Sequence, residues 1–395
     1  MKSRTAPDIT LAPIPKGYGR ILAHGFDWWQ ESLNIKIPGD LWARLKDMKA
    51  RAIELDDRRN TPIAFDLGEI TFQLMPTGAK GGKEFVLVSE EYRIEIGSPK
   101  RDWPVSWRAT SAALWHHGVK QLRETLYDTL QSVGCTPHDE ADFIRLTRVD
   151  YCFDIESARF SREMYPRIAK QTVCPKETKV GGNWVVQADH VETLTIGMGA
   201  ACQVQVYDKT REITEASNKT WLYDIWGLDH DTGEIVERDE WRDVWRLEVR
   251  LKKDWLKDRK VNTPASFLET MWQNISDALY NRRLCQPTRD SNRRRWPLHP
   301  LYGIALHEIG NPREFRPIDR RALGKADALE KTMLQNLAGT CRSLVMLRLR
   351  EAGAFDENEA EAVLEQALEI LLQDKLHPEK IRRAIEKYAL VDAAR

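Results

Sequence analysis

A tyrosine and three carboxylates of this sequence could share one face of a β-sheet. Alternating polar and apolar stretches occur at residues 146–155, 202–207 and 245–251. Successive side chains of a strand point to opposite faces, so each stretch predicts a strand with one polar face. If the three strands share a sheet, a phenol lies beside candidate metal ligands, and a shift of register by one residue would undo this. The side chains on the polar faces are Asp150, Asp154, Tyr207, Arg246, Glu248 and Arg250.

The composition is that of a soluble globular protein long enough for two or three domains. Of its 395 residues, 42% are hydrophobic and 30% are charged, which is ordinary for a globular chain. The 60 basic and 60 acidic residues balance. Any nucleic-acid site must therefore be a local concentration of positive charge.

Neither the N-terminus nor the cysteines suggest export. The first eight residues are polar, which predicts no secretory signal. No apolar run approaches the roughly 18 residues of a membrane span. Six cysteines lie far apart without a C-x-x-C pair, which argues against zinc and against a disulfide framework. We expect a reduced, cytoplasmic protein without a membrane partner.

Short segments rich in β-branched and aromatic residues predict the sheet that would position these side chains. The expected fold is α+β, with a mixed, mainly antiparallel sheet, helices packed on one face, and a C-terminal helical region. The predicted strands are 28–37, the meander 70–74, 85–88, 92–96 and 105–109, and then 144–155, 192–196, 202–208 and 244–252. The predicted helices are 39–51, 111–133, one near 160–170, and 266–281.

Composition divides the chain into four predicted regions. Residues 1–140 are an N-terminal α+β half of the sheet domain, and 141–280 are the half that carries the tyrosine and the acids. Residues 281–321 contain ten arginines and four acidic residues, a local net charge of +6, and are expected to contact DNA. Residues 322–395 predict helices whose apolar stripes suit packing or self-association.

Four motifs in order resemble the Rep_trans-type replication initiation factors of plasmids and phages, which are rolling-circle initiators, and the related relaxases of integrative conjugative elements. Together the motifs cover roughly residues 140–305. They are Arg148-Val149-Asp150-Tyr151-Cys152-Phe153-Asp154, then Thr195-Ile196-Gly197 leading into Val206-Tyr207-Asp208-Lys209-Thr210-Arg211-Glu212, then Arg246-Leu247-Glu248, and the stretch from Asp290 to Pro300. The sequence departs from the family after Gly197, where Met198 and Gly199 replace the usual serine or arginine.

The resemblance implies a tyrosine that attacks a DNA phosphodiester and carboxylates that hold a divalent metal. Carried over by position, Tyr207 is the nucleophile. The implied metal ligands are Asp150, Asp154 and Glu248, with Glu212 as a weaker candidate. The implied product is a 5′-phosphotyrosine bond and a free 3′-hydroxyl, made at an origin of rolling-circle replication.

The chemistry explains why such residues would be needed. A phenol has a pKa near 10 and becomes a good nucleophile only when something stabilises the phenolate. A cation held by carboxylates can do so, and hard oxygen ligands select Mg²⁺ or Mn²⁺. Lys209 and Arg246 are expected to complement the phosphate. The sequence contains no His-hydrophobic-His pair, so a nicking site would have to be acidic.

The expected partner is DNA at an origin, single-stranded or melted at the nick site. The predicted DNA-binding residues are Arg289, Arg293, Arg294, Arg295 and Trp296, since arginines neutralise phosphates and indole rings stack unpaired bases. A host helicase and a second copy of the chain are further expected partners.

Simpler interpretations stand beside these. Tyr207 is also a typical strand aromatic. Asp150 and Asp154 also suit ion pairs with Arg148 and Arg246, Glu248 suits an ion-paired face with Arg246 and Arg250, and residues 293–295 suit a solvated turn. At the level of function, the alternatives are a conjugative relaxase with the same chemistry at a transfer origin, and a non-catalytic DNA-binding protein on the same fold.

Overall fold

The computed structural model describes residues 13–55, 62–175, 180–181, 186–187, 190–229 and 232–310. The predicted C-terminal helical region and the last part of the arginine-rich segment lie outside these residues. Within them, no helix combines the length and apolar character needed to cross a membrane.

Eight of the nine predicted strands are present within about two residues of their predicted bounds, and further strands appear that the sequence did not predict. In chain order they are β1 (Arg20–Leu33), β2 (Ile35–Lys36), β3 (Ile63–Leu67), β4 (Ile70–Leu74), β5 (Lys83–Val88), β6 (Tyr92–Gly97), β7 (Val105–Ala109), β8 (Thr136–Pro137), β9 (Ile144–Glu156), β10 (Thr172–Val173), β11 (Val180–Gly181), β12 (Val186–Gln187), β13 (His190–Val191), β14 (Thr193–Ile196), β15 (Cys202–Asp208), β16 (Val244–Lys252) and β17 (Arg283–Leu284).

The helices are more fragmented than the apolar spacing predicts. They are α1 (Gly39–Leu55), α2 (Ser111–Ser132), α3 (Ala158–Ser161), α4 (Lys209–Glu212), α5 (Leu222–Gly227), α6 (Lys253–Asp258), α7 (Pro264–Glu269), α8 (Met271–Asn281) and α9 (Pro300–Gly310), with 3₁₀ turns at Pro166–Gln171 and Arg293–Arg295 and a π-helical turn at Ile213–Ser217.

Eleven of the strands form one sheet in the order β11-β14-β15-β16-β9-β1-β7-β6-β5-β4-β3. The described pairs are antiparallel, as the sequence predicts for most of the sheet, and the α+β class is confirmed. The predicted N-terminal and tyrosine-bearing halves share this sheet, because β1 pairs with β7 on one side and with β9 on the other.

One face of the sheet carries the main core. Val206 of β15, Leu247 of β16 and Phe153 of β9 are fully buried on it, and α8 and α9 contribute Ile275 and Leu301 to the same cluster. Alternation therefore leaves the polar side chains of these strands on the opposite face. A second, smaller cluster covers part of that opposite face; it contains Cys152, Trp115, Trp226, Trp241 and Val244.

Three predicted elements differ from the structure for identifiable reasons. The helix predicted at 266–281 is two helices, with Thr270 ending α7 and preceding α8. The helix predicted near 160–170 is a short α3 and a 3₁₀ turn that begins at Pro166. The strand predicted at 28–37 corresponds to β1, which begins much earlier. Register shifts within β1 break the alternation, so the sequence pattern does not show where this strand begins.

The turn between β14 and β15 yields a stability prediction. Gly197 has φ +96, and a Cβ there would lie 2.7 Å from the Cys202 carbonyl oxygen; Gly199 has φ +77 and open space around it. Gly199→Ala should lower the free energy of unfolding by about 1–2 kcal/mol through backbone strain alone. Gly197→Ala should cost about 2–4 kcal/mol, since strain and a backbone clash combine. Urea denaturation of both variants checks this, and equal losses would contradict the clash.

Candidate functional site

The predicted register of the three site strands is confirmed. Tyr207 of β15 lies opposite Arg246 of β16, and Arg246 lies opposite Asp154 of β9. One step along the same face, Glu248 lies opposite Cys152. The phenol, the carboxylates and the arginines therefore share one face, as alternation requires.

Tyr207 is hydrogen-bonded to a carboxylate. Its hydroxyl donates to Glu248 Oε2 at 2.8 Å, and the residue is partly exposed. Burial of the hydroxyl and the nearby Glu248 charge hold the pKa of Tyr207 well above its ordinary value, with Arg246 opposing them. The phenol is therefore protonated at neutral pH, and its proton already points at a base.

Arg246 lies fully buried beneath this pair and holds two carboxylates. Its Nε and Nη2 donate to Asp154 Oδ1 and Oδ2 at 2.6 and 2.8 Å, and its Nη1 donates to Asp27 Oδ1 at 2.8 Å. The Trp226 indole adds a bond to Asp154 Oδ2 at 2.8 Å. Burial alone would lower the pKa of Arg246, but Asp154 and Asp27 hold it above the ordinary value. The guanidinium is permanently charged.

The other two carboxylates share Arg250. Arg250 Nε lies 2.5 Å from Glu248 Oε1 and 3.7 Å from Asp150 Oδ2. Asp150 also accepts two bonds from Arg148, at 2.9 and 2.5 Å. Burial raises the pKa of Asp150 to about 7, with Glu248 adding to the rise and Arg148 opposing it. Arg148 and Arg250 are each 27% exposed, so these cations reach solvent.

Lys209 and Glu212 form an ion pair of their own just past the end of β15. The ammonium of Lys209 is buried and lies 5.7 Å from the centre of the Tyr207 ring. Burial, with Arg246 adding to it, lowers the pKa of Lys209. Because Lys209 and Arg246 are both buried and paired, the partly exposed cations of this cluster are Arg148 and Arg250.

The residues do not fit the predicted metal site in this arrangement. Both oxygens of Asp154 are held by Arg246, both oxygens of Asp150 by Arg148, and Glu248 lies between Tyr207 and Arg250. Glu212 is paired with Lys209. Among residues whose positions are described, no group of three or more His, Cys, Asp or Glu side chains could hold a metal ion. The ion-pair interpretation of Asp150 and Asp154 is the one that the geometry bears out.

Sequence reasoning missed Asp27, which completes the site from a fourth strand. Phe26 pairs with Tyr151 and Trp28 with Asp150, so Asp27 is the extra residue of a bulge in β1. A bulge re-aims its side chain, and Asp27 bonds Arg246 and Ser111 Oγ, the latter at 2.7 Å. A bulge leaves no alternation to read, so the sequence carries no signal for this contact.

The predicted DNA-binding residues contact side chains and carbonyl groups outside the Tyr207 cluster. Arg295 pairs with Asp290 at 2.7 Å, Arg293 donates to the Lys170 carbonyl at 2.9 Å, and the Trp296 indole donates to the Asp290 carbonyl. Arg289 and Arg294 are exposed. The three arginines Arg293, Arg294 and Arg295 form an exposed 3₁₀ turn, and their role in binding DNA stays a prediction.

No protein-family model matches this chain, and no curated protein sequence matches it either. Among solved structures, it is similar to that of a rolling circle replication initiator protein from Geobacillus stearothermophilus. The sequence identity is 13%, the match covers 72% of this chain and 96% of that chain, and the TM-score is 0.39. At these values the similarity carries no argument about the site.

Loss of the buried arginine should cost far more than loss of a surface one. Arg246→Gln leaves Asp154 and Asp27 buried without their cation, so the free energy of unfolding should fall by about 3–5 kcal/mol. The control is Arg238→Gln, because its partner Glu156 lies near the surface and remains paired with Arg20 in this variant. The free energy of unfolding should fall by less than about 1 kcal/mol. Similar losses in urea denaturation would show that Arg246 is not the anchor.

The raised pKa of Asp150 predicts a pH-dependent stability. The folded chain binds this proton more tightly than the unfolded chain, whose aspartates titrate near 4. The contribution of Asp150 is therefore full below about pH 4 and is lost as pH rises to about 7. Asp150→Asn should reduce the loss of unfolding free energy between about pH 4 and pH 8 by more than about 1 kcal/mol, as measured by denaturation at each pH. The control Asp239→Asn, at an exposed position, should leave this loss unchanged.

Proposed function

We propose that this protein is a replication initiator that nicks one DNA strand at an origin of rolling-circle replication, with Tyr207 as nucleophile. The observation that carries the proposal is the 2.8 Å hydrogen bond from the Tyr207 hydroxyl to Glu248 on a face lined with arginines. A nucleophile in contact with a base, beside cations, is the arrangement that attack on a phosphodiester needs.

Residues of the chain itself can supply every proton transfer in this step. The Tyr207 oxygen forms a bond to phosphorus while the bond from phosphorus to the 3′ oxygen breaks. Glu248 takes the phenol proton and returns a proton to the departing 3′ oxygen, which leaves as a hydroxyl. Arg250 is partly exposed and donates to the phosphate, while Arg246 and Lys209 neutralise carboxylates beneath the phenol. The products are a 5′-phosphotyrosine and a 3′-hydroxyl.

The involvement of Mg²⁺ or Mn²⁺ stays a prediction. For carboxylates to accept a cation, Arg148 and Arg250 would have to leave Asp150 and Glu248. Cleavage assayed with Mg²⁺, with Mn²⁺ and with EDTA measures this directly. Activity in EDTA would show that the arginine and glutamate groups act without a metal.

A second candidate is a protein that binds DNA without cleaving it. The observation in its favour is the raised pKa of Tyr207, because a phenol hydroxyl that is shielded from water beside a carboxylate is harder to deprotonate at neutral pH. In this candidate the paired carboxylates stabilise the sheet, and the arginines alone contact DNA. It predicts complexes that dissociate fully in denaturant.

The test uses supercoiled plasmid carrying the gene for this chain, with open circles and a denaturant-resistant protein–DNA adduct as readouts. Tyr207→Phe should abolish both, and Glu248→Gln should slow cleavage by about 10²–10⁴-fold, as expected for loss of a general base. The matched control is Tyr165→Phe, which changes an exposed tyrosine elsewhere and should cleave normally.

Two results would contradict the proposal. Adduct formation by Tyr207→Phe would remove Tyr207 as nucleophile. Binding of the plasmid by the wild-type chain, with neither open circles nor adduct under any of the three ion conditions, would establish the second candidate.

A further inference from the structure

The polar face of the sheet continues beyond Tyr207 to a tryptophan that two arginines flank. Trp28 of β1 is partly exposed, and the guanidinium carbons of Arg108 and Arg148 lie 4.2 and 4.1 Å from the centre of its ring. These arginines come from β7 and β9, the two strands that neighbour β1. Trp28 is also the register partner of Asp150, which links this group to the Tyr207 cluster.

Positive charge is in excess around Trp28. Arg148 is paired with Asp150, and the neighbouring Arg93 is paired with Glu95. Arg108 has no such ion pair with a carboxylate among the described residues. Burial lowers the pKa of Arg108, and the adjacent Arg93 lowers it further, with a smaller contribution from Arg148. Glu95 offsets this lowering only in part. A partly exposed guanidinium crowded by like charges is stabilised when an anion binds.

We propose that the group formed by Trp28, Arg108 and Arg148 binds an unpaired segment of DNA and leads it across the sheet to Tyr207. The arginines bind backbone phosphates, and a base stacks against the indole or a guanidinium plane. This inference rests on the proposed function, because it names the residues that would hold the DNA strand as it enters the nicking site.

The geometry favours a single strand over a duplex. Trp28 and Tyr207 lie on β1 and β15, three strand spacings apart with β9 and β16 between them. At about 4.8 Å per spacing, and with an offset along the strands, the path is on the order of 20 Å. Stacking against an indole requires a base that is free of its partner, and a nucleophile on a sheet face likewise needs an exposed phosphodiester. Arg250 lies between the two groups and supplies a cation along the path.

The experiment measures binding apart from cleavage. The probe is a fluorescein-labelled 20-nucleotide oligothymidylate, and its anisotropy is titrated with the full chain in EDTA. Trp28→Ala and Arg108→Gln should each weaken binding about tenfold, and Arg108→Gln should also lower the salt dependence by about one phosphate contact. A duplex of equal length should bind more weakly than the single strand to the wild-type chain, and Trp28→Ala should remove that preference.

Matched variants separate stacking and charge from general effects on the fold. Arg44→Gln removes an arginine that also lies over an aromatic ring, 5.2 Å from the centre of Phe65, and should bind normally. Trp28→Phe keeps an aromatic face and should retain most of the affinity. If Trp28→Ala fails to fold, Trp28→Phe and Arg108→Gln together test the inference. Wild-type affinity in both Trp28→Ala and Arg108→Gln, or no preference for the single strand, would overturn the inference.

Failure of the inference and failure of the proposed function are distinguishable. Tight single-strand binding without nicking would contradict the proposed function alone. If the wild-type chain nicks DNA but the Trp28→Ala and Arg108→Gln variants bind the oligonucleotide as tightly as the wild-type chain does, this inference alone is contradicted.

Discussion

The site depends on one buried guanidinium. Arg246 joins Asp154 of β9 and Asp27 of β1 from its place on β16, so three adjacent strands are tied together by charge beneath Tyr207. Taking these groups out of water is costly, and only complete pairing offsets that cost. The bonds from Trp226 to Asp154 and from Ser111 to Asp27 complete the pairing. The sheet register, and with it the position of the phenol, is therefore coupled to this triad.

Arginine pairing also decides the chemistry that the face can support. A cluster of bare carboxylates would attract a cation and repel DNA, whereas here each predicted metal ligand is matched by an arginine or a lysine. The cluster therefore has little net negative charge, and the cations nearest solvent are Arg148 and Arg250. A face with paired charges repels a polyanion less than bare carboxylates would. It also leaves the Tyr207 hydroxyl protonated, with its proton donated to Glu248.

An antiparallel sheet with one covered face presents an extended polar surface that is built from short elements. Side chains of β15, β16, β9, β1 and β7 that are distant in sequence stand side by side, and the row runs from Tyr207 through Arg250 and Asp150 to Trp28 and Arg108. The smaller cluster around Trp115 and Trp226 covers the end of this face and buries Arg246. Beyond this cluster Trp28, Arg148 and Arg250 are partly exposed, so the same face holds both a buried triad and arginines that reach solvent.

The sequence by itself determined the strands that carry the site and the face on which each side chain stands. Residues 146–155, 202–207 and 245–251 alternate, and alternation is a local property that survives folding unless a bulge interrupts it. It correctly placed Asp150, Asp154, Tyr207 and Glu248 together, and it also suggested the ion-pair alternative. Only the tertiary structure decided which carboxylate meets which cation: Arg246 and Asp154 are 92 positions apart, and Arg246 and Asp27 are 219 apart. Asp27 and Trp28 lie at a bulge in β1, where the alternation fails and local pattern carries no information about partners.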